Sequence, residues 1–225
     1  KAKWVLAEGS DTSGMTRSIP IEKILDDCLI AWAMNGEALR PEQGYPARLV
    51  VPGWEGNMWV KWIRRLEFGD KPYMTREETS KYTDLLRDGK ARMFTWVMEA
   101  KSVVTSPSPE KPILAKGIQQ LRGLAWSGKG KIKRVDVSLD GGKNWRTAQL
   151  HAPIMTKSLV RFTLPFEWSG EELLIQSRAM DETGYVQPNI QELQKIRGKN
   201  SIYHNNSIAT WLVSKSGKVD NVRLG

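Results

Sequence analysis

Alternation restricts the fold of this chain more than any other feature. Val135, Val137 and Leu139 are separated by single polar residues, and Asp140-Gly-Gly-Lys-Asn144 follows at once. A period of two running into a Gly-rich turn is the pattern of a half-buried strand entering a hairpin. Leu159-Val-Arg-Phe-Thr-Leu164 and Leu173-Leu-Ile-Gln-Ser-Arg-Ala179 repeat the strand texture, and Asp181-Glu-Thr-Gly184 supplies another turn. Short strands at this spacing, from about Thr95 onward, predict an antiparallel β-sandwich.

The first part of the chain is less regular. Ser18-Ile-Pro-Ile-Glu-Lys-Ile-Leu25 predicts a short helix, with Ser18 as its cap and Pro20 in the first turn. Strands are expected at Cys28 to Met34, Ala47 to Val51 and Trp59 to Phe68, with a turn at Asn35-Gly36. Residues 73–94 are polar and irregular, with at most one helical turn at Thr75 to Thr79, and read as a connecting segment. Pro107, Pro109 and Pro112 mark a further break.

The 225 residues, 40% hydrophobic and 26% charged, suit one large or two ordinary globular domains. No run of about eighteen apolar residues occurs, so no transmembrane helix is expected. The net charge of +9 is scattered, its densest cluster being Lys129-Gly-Lys131-Ile-Lys133-Arg134, and a dispersed charge of this kind argues against nucleic acid as a partner. One cysteine and two histidines leave no internal disulfide and no Cys/His zinc cluster. Cys28, in an apolar run, reads as a buried structural thiol. The segment before Ser10 has no signal core, and the chain reads as part of a longer one.

The stretch from Gln43 to Trp62 stands apart. It sets two isolated cations, Arg48 and Lys61, among Gly, Pro, Trp and Val. A cation flanked by apolar strand formers must reach an anion or lose solvation, so this is the candidate ligand site. On residue type alone, the alternative is a pair of strand cations whose heads reach the surface.

Two blocks carry a resemblance. The first is Asn35-Gly-Glu-Ala-Leu-Arg-Pro-Glu-Gln-Gly-Tyr-Pro-Ala-Arg48 through Val51-Pro-Gly53 to Val60-Lys-Trp62. The second is Arg122-Gly-Leu-Ala-Trp-Ser-Gly-Lys-Gly-Lys-Ile-Lys-Arg-Val-Asp-Val-Ser-Leu-Asp-Gly-Gly-Lys-Asn-Trp145. In this order they resemble the sulfite oxidase family of molybdopterin enzymes. Glu55-Gly-Asn-Met58, Thr75 to Tyr82 and Tyr203-His-Asn-Asn206 are most similar to its bacterial sulfane dehydrogenase branch, the molybdenum subunits of a thiosulfate-oxidising system. The resemblance implies a mainly β fold, an α+β remnant followed by an all-β part. Residues 1–72 would be the C-terminal portion of the molybdopterin-binding domain, 73–94 the connector, and 95–225 an Ig-like dimerisation domain.

The same resemblance assigns roles. Arg48 and Lys61 match cations that meet the pterin and its phosphate, Asp11 matches an acidic pterin partner, and Gln43 stands where many members carry histidine. Tyr82 matches the active-site tyrosine, whose hydroxyl can hydrogen-bond a developing charge or pass a proton. The family's molybdenum-ligating cysteine lies upstream of these blocks, so Cys28 is not that ligand, no metal ligand is assigned here, and a chain of this extent is expected not to retain the molybdenum-molybdopterin cofactor or activity. Sulfite oxidases proper place an arginine where this chain reads Tyr203 to Trp211, and none occurs from Lys199 to Val222. His204 and Asn206 become the substrate-pocket candidates.

For the intact enzyme the resemblance implies oxygen-atom transfer from water to carrier-bound sulfane sulfur. The implied partners are a c-type cytochrome, a sulfur-carrier protein and a second copy through the Ig-like domain, and the implied location is the periplasm. The alternatives are oxidation of free sulfite and a non-catalytic Ig-like interaction module.

Overall fold

The computed structural model describes residues 1–201 and 203–224. It divides into two units, Lys1–Val97 with Arg197–His204, and Met98–Ile196 with Asn205–Gly225.

In the first unit, strands β1 (Trp4–Gly9) and β2 (Thr16–Pro20) form a hairpin, and helix α1 (Ile21–Asp27) follows directly. Short strands β3 (Leu29–Ala31), β4 (Ala33–Met34), β5 (Glu37–Ala38) and β6 (Arg48–Val50) precede β7 (Ile63–Gly69), helix α2 (Arg76–Thr79) and strands β8 (Asp84–Leu85) and β9 (Ala91–Arg92). β1 is the centre of a three-stranded antiparallel sheet in the order β2-β1-β7. β3 pairs with β6, β4 with β5 through Asn35 and Gly36 at positive φ, and β8 with β9. Ala7, Ile19, Leu49, Val51, Trp54, Met58 and Val60 form the core, and Trp54 stacks on Trp96 at 4.8 Å.

Two expectations change here, and a third observation concerns the segment before Thr95. Ser18 does not cap α1: it lies buried in β2, and its hydroxyl accepts the Tyr73 amide at 3.1 Å. The strand over Cys28 to Met34 is two short strands, and Cys28 sits half-buried at the end of α1, packed against the core. Residues 73–94 are grouped with the first unit. Glu77 and Glu78 of α2 are buried against β2, and Asp84 is buried against Arg197 at 3.1 Å, which ties the segment down at both ends.

The second unit contains β10 (Lys101–Ser106), β11 (Gly117–Trp126), β12 (Ile132–Ser138), β13 (Arg146–Thr147), β14 (Gln149–His151), β15 (Val160–Trp168) and β16 (Leu173–Asp181). Helix α3 (Ile190–Arg197), which the sequence reading did not anticipate, then leads to β17 (Thr210–Val213) and β18 (Val219–Val222). Two antiparallel sheets result, ordered β10-β11-β15-β14 and β13-β12-β16-β17-β18. Alternation decides their inner faces: Val160, Phe162, Leu164, Phe166 and Trp168 of β15 are all buried, as are Val135 and Val137 of β12 and Ile175 and Ala179 of β16. They share one core, which is the packing of an Ig-like sandwich. Gly123 of β11 faces Phe162, and a Cβ there would lie 2.1 Å from the ring, so the close approach requires glycine.

The expected turn after β12 forms. The Asp140 carboxylate accepts the Lys143 amide at 3.0 Å and the Asn144 amide at 2.9 Å, with Gly141 and Gly142 at positive φ. Among the described residues no helix is long and apolar enough to cross a membrane.

Candidate functional site

Arg48 leaves β6 half-buried. Its strand runs antiparallel to residues 60–63, with the Leu49 amide on the Val60 carbonyl at 2.8 Å and the Ile63 amide on the Ala47 carbonyl at 2.9 Å. That pairing sets Arg48 beside Lys61. Gly44, at φ +108°, fits between them: a Cβ there would meet Lys61 Cβ at 2.9 Å and Arg48 Cβ at 3.2 Å. Nη1 of Arg48 donates to the Gln43 carbonyl at 3.0 Å and Nη2 to the Trp59 carbonyl at 3.2 Å, with the guanidinium 5.6 Å above the Trp59 ring. Nε is buried with no acceptor among the described residues, and burial pushes the Arg48 pKa down. A desolvated guanidinium with an unused donor is suited to an anionic ligand.

Lys61 donates to the Glu42 carbonyl at 2.7 Å and lies 5.0 Å from the Trp62 ring. Trp62 has φ +50°, uncommon for a bulky residue, and its indole donates to the Pro41 carbonyl at 2.9 Å. Gln43 closes the same turn, its Oε1 accepting the Arg40 amide at 3.0 Å. These contacts fix the loop that carries both cations.

Asp11 comes to the same place from the β1–β2 turn. The Ser10 amide donates to the Trp62 carbonyl at 2.9 Å, and a Cβ on Gly9 would meet the Lys61 carbonyl at 2.7 Å and Asp11 Oδ1 at 3.0 Å. The Asp11 carboxylate accepts the Ser13 hydroxyl and, at 3.2 Å, the Met15 amide, and the hydroxyl contact above all holds its pKa below the usual carboxylate value. The structure therefore gathers Asp11, Gln43, Arg48 and Lys61 around two glycines that leave room for no side chain. This donor set, with a spare buried guanidinium nitrogen and one ionised carboxylate, fits a phosphate-bearing pterin.

Tyr82 belongs to a second group in the same unit. It adopts φ +49°, its ring is 4.6 Å from Tyr203, and the Arg17 guanidinium lies 4.9 Å from its centroid. Arg17 has no solvent exposure and was not singled out in the sequence, although its partners Met58, Glu77 and Glu78 lie in blocks that carry the resemblance. Its Nε contacts Met58 Sδ at 2.9 Å and Glu78 Oε1 at 3.4 Å, and its Nη1 donates to the Glu77 carbonyl at 3.0 Å. Burial lowers the Arg17 pKa and raises that of Glu78, each opposed by the other's charge. His204 is also buried here, its Nδ1 bonded to the Glu55 carboxylate. Tyr82 and His204 were legible as candidates in the sequence; what no local signal marks is Arg17 and its pairing with Glu78, because the two lie 61 positions apart.

Asn206 falls in the second unit, where its amide donates to the Ala100 carbonyl at 3.2 Å and the Tyr185 hydroxyl at 3.0 Å. A cavity of about 950 Å³ in that unit is lined by Lys101, Trp145, Arg178 and Tyr185 among others. It contains none of the residues matched to the cofactor, so we place the site in the first unit. Among the described residues no group of three or more His, Cys, Asp or Glu side chains could hold a metal ion.

Two family models match the chain, the oxidoreductase molybdopterin binding domain over residues 1–77 and the Mo-co oxidoreductase dimerisation domain over residues 92–211. With a molybdopterin-binding match over one unit and an Ig-like sandwich in the other, the chain belongs to the sulfite oxidase family of molybdopterin oxidoreductases. Over its whole length it is 61% identical to a chain of the sulfane dehydrogenase SoxCD from Paracoccus pantotrophus, with a TM-score of 0.97, and it covers 58% of that chain. It is 34% identical to sulfite oxidase from Gallus gallus, covering 80% of this chain and 43% of the relative. It is 33% identical to nitrate reductase [NADH] 1 from Nicotiana tabacum, covering 72% of this chain and 21% of the relative. The chain spans less than half the length of these curated relatives.

Proposed function

We propose that the chain supplies the pterin-phosphate side and the active-site tyrosine of a molybdenum-dependent sulfane dehydrogenase. The observation that carries the reading is the convergence of Arg48, Lys61, Asp11 and Gln43 on Gly44 and Gly9. The identity of 61% with a sulfane dehydrogenase chain favours a sulfur substrate over nitrate.

In this reading Arg48 Nε and the Lys61 ammonium hold the phosphate and pterin oxygens, and Asp11 accepts from a pterin N–H. Gln43 adds an amide that cannot titrate near neutral pH. The bound cofactor supplies oxygen-atom transfer to sulfur and takes up the electrons. The Tyr82 hydroxyl donates a hydrogen bond to the oxyanion that develops on the substrate. His204 enters as a buried group whose bond to Glu55 holds the chain around Tyr203 in place.

The substrate proposed is a sulfane sulfur carried as a thiosulfonate on a partner protein, with electrons passed to a c-type cytochrome. The second unit is proposed to pair two copies about a two-fold axis, and the periplasm is the proposed location.

The test uses the intact, cofactor-loaded enzyme, with molybdenum and pterin assayed chemically and turnover followed by cytochrome c reduction. Carrier-bound sulfane sulfur is expected to be oxidised and nitrate left unreduced, with R48M losing pterin and Y82F losing turnover at unchanged pterin content. Faster turnover of free sulfite would move the assignment to sulfite dehydrogenase. Intact enzyme lacking both molybdenum and pterin would leave only the interaction-module reading.

A further inference from the structure

We propose that Arg17 is the positioning residue of Tyr82, clamping the phenol ring against Tyr203 from inside the first unit. The inference rests on the assignment of Tyr82 to the active site and adds the group that holds it there.

Tyr82 needs such a group. A non-glycine residue at φ +49° is held in a sparsely populated backbone region, which persists only where surrounding contacts over-determine it. Two such contacts exist on the ring: the Arg17 guanidinium at 4.9 Å and the Tyr203 ring at 4.6 Å, inclined at 50°.

The cation is itself immobile. Arg17 sits in β2 with no exposure, and its guanidinium reaches Met58, the Glu78 carboxylate and the Glu77 carbonyl. Glu78 is anchored in turn, accepting the Ser18 amide at 2.9 Å. Nη2 of Arg17 is buried with no hydrogen-bond acceptor among the described residues. The face of the Tyr82 ring is then a natural partner for that side of the charge, since a desolvated cation is drawn to the ring quadrupole. Helix α2 leads directly into the Tyr82 loop, so the residue that pins the helix also pins the ring.

The position of Arg17 couples the two groups of the site as well. It stands in the same hairpin that presents Asp11, two residues beyond Met15, whose amide donates to the Asp11 carboxylate. A rigid β1–β2 hairpin sets both.

The experiment is fluorine NMR on the intact, cofactor-loaded enzyme labelled with 3-fluorotyrosine, in which the resonances of this chain's five tyrosines are assigned by single Tyr→Phe changes. In R17M the Tyr82 signal is expected to shift by more than its linewidth, while those of Tyr45, Tyr73 and Tyr185 stay in place. R17K, which keeps the charge, is expected to restore it in part. Because R17M leaves Glu78 unpaired, R17M/E78Q is measured alongside and is expected to show the same selective shift. In the same variants kcat is expected to fall roughly fivefold to tenfold with KM held, the size of a lost cation–π contact. A Tyr82 resonance that does not move in folded R17M/E78Q, or that moves only together with all the others, would overturn the proposal. The fluorine signal does not depend on turnover, so it stands or falls apart from the catalytic role given to Tyr82.

Discussion

Arg17 and Glu78 meet at 3.4 Å with side chains 0% and 1% exposed, an ion pair enclosed between β2 and α2. Removing one partner of such a pair strands the other charge, whereas removing both does not. R17M is expected to destabilise the protein by about 3–5 kcal/mol, and R17M/E78Q by clearly less, as read by denaturant unfolding. The pair also fixes a pH signature. Burial raises the Glu78 pKa, opposed by the Ser18 amide and then by the Arg17 charge, so R17M removes one of the two lowering causes and shifts the balance upward. A carboxyl with a raised folded pKa contributes stability below its unfolded pKa and loses it as pH rises. R17M should therefore regain stability on acidification toward the glutamate range, and R17M/E78Q should not. Parallel pH profiles for the two variants would refute the paired assignment.

Gly44 is expected to accept no side chain. Its φ of +108° and the 2.9 Å approach of Lys61 Cβ mean that G44A must displace the loop bearing both cations. The expected result is a lowered melting temperature together with loss of pterin, measured by fluorescence of the oxidised cofactor after extraction. G36A is the control, since Gly36 also has positive φ but open space around it. It should lower stability and leave pterin content alone.

The Asp140 turn makes the sandwich acid-sensitive at a known point. Hydrogen bonds from the Asn144 amide, the Ser138 hydroxyl and the Asn144 side chain, the amide foremost, hold the Asp140 pKa far below the usual carboxylate value. A depressed folded pKa gives stability that is present above the unfolded pKa and lost as pH falls toward the folded one. Wild type should melt above D140A at neutral pH, and the gap should narrow below about pH 4. A gap independent of pH would assign the effect to packing rather than to the ionised carboxylate.

The sandwich was legible because its evidence is local. Val135, Val137 and Leu139 announce their own inner face, and Asp140-Gly-Gly can do little except turn. Arg48 and Lys61 could be selected for a related reason, as cations set in an apolar strand context are visible in a short window. Helix α3 was missed because its surroundings, Gln187-Pro-Asn189 and a run of polar residues, read equally well as a loop. Ser18 was misplaced because a Ser-x-Pro pattern suits a helix start, and its burial in β2 depends on Tyr73, which is 55 positions away.

By itself the sequence determined an antiparallel sandwich in the second part, a cation-bearing apolar stretch in the first, and the family to which both belong. Only the tertiary structure decided that Arg17 lies under Tyr82, that Glu77 and Glu78 are buried, and that His204 is bound to Glu55. Periodicity reports which face of an element is apolar, but the burial of a charge depends on its partner. For Arg17 that partner lies about sixty residues along the chain, and for His204 it is 149 positions back. Such distances are closed by folding alone.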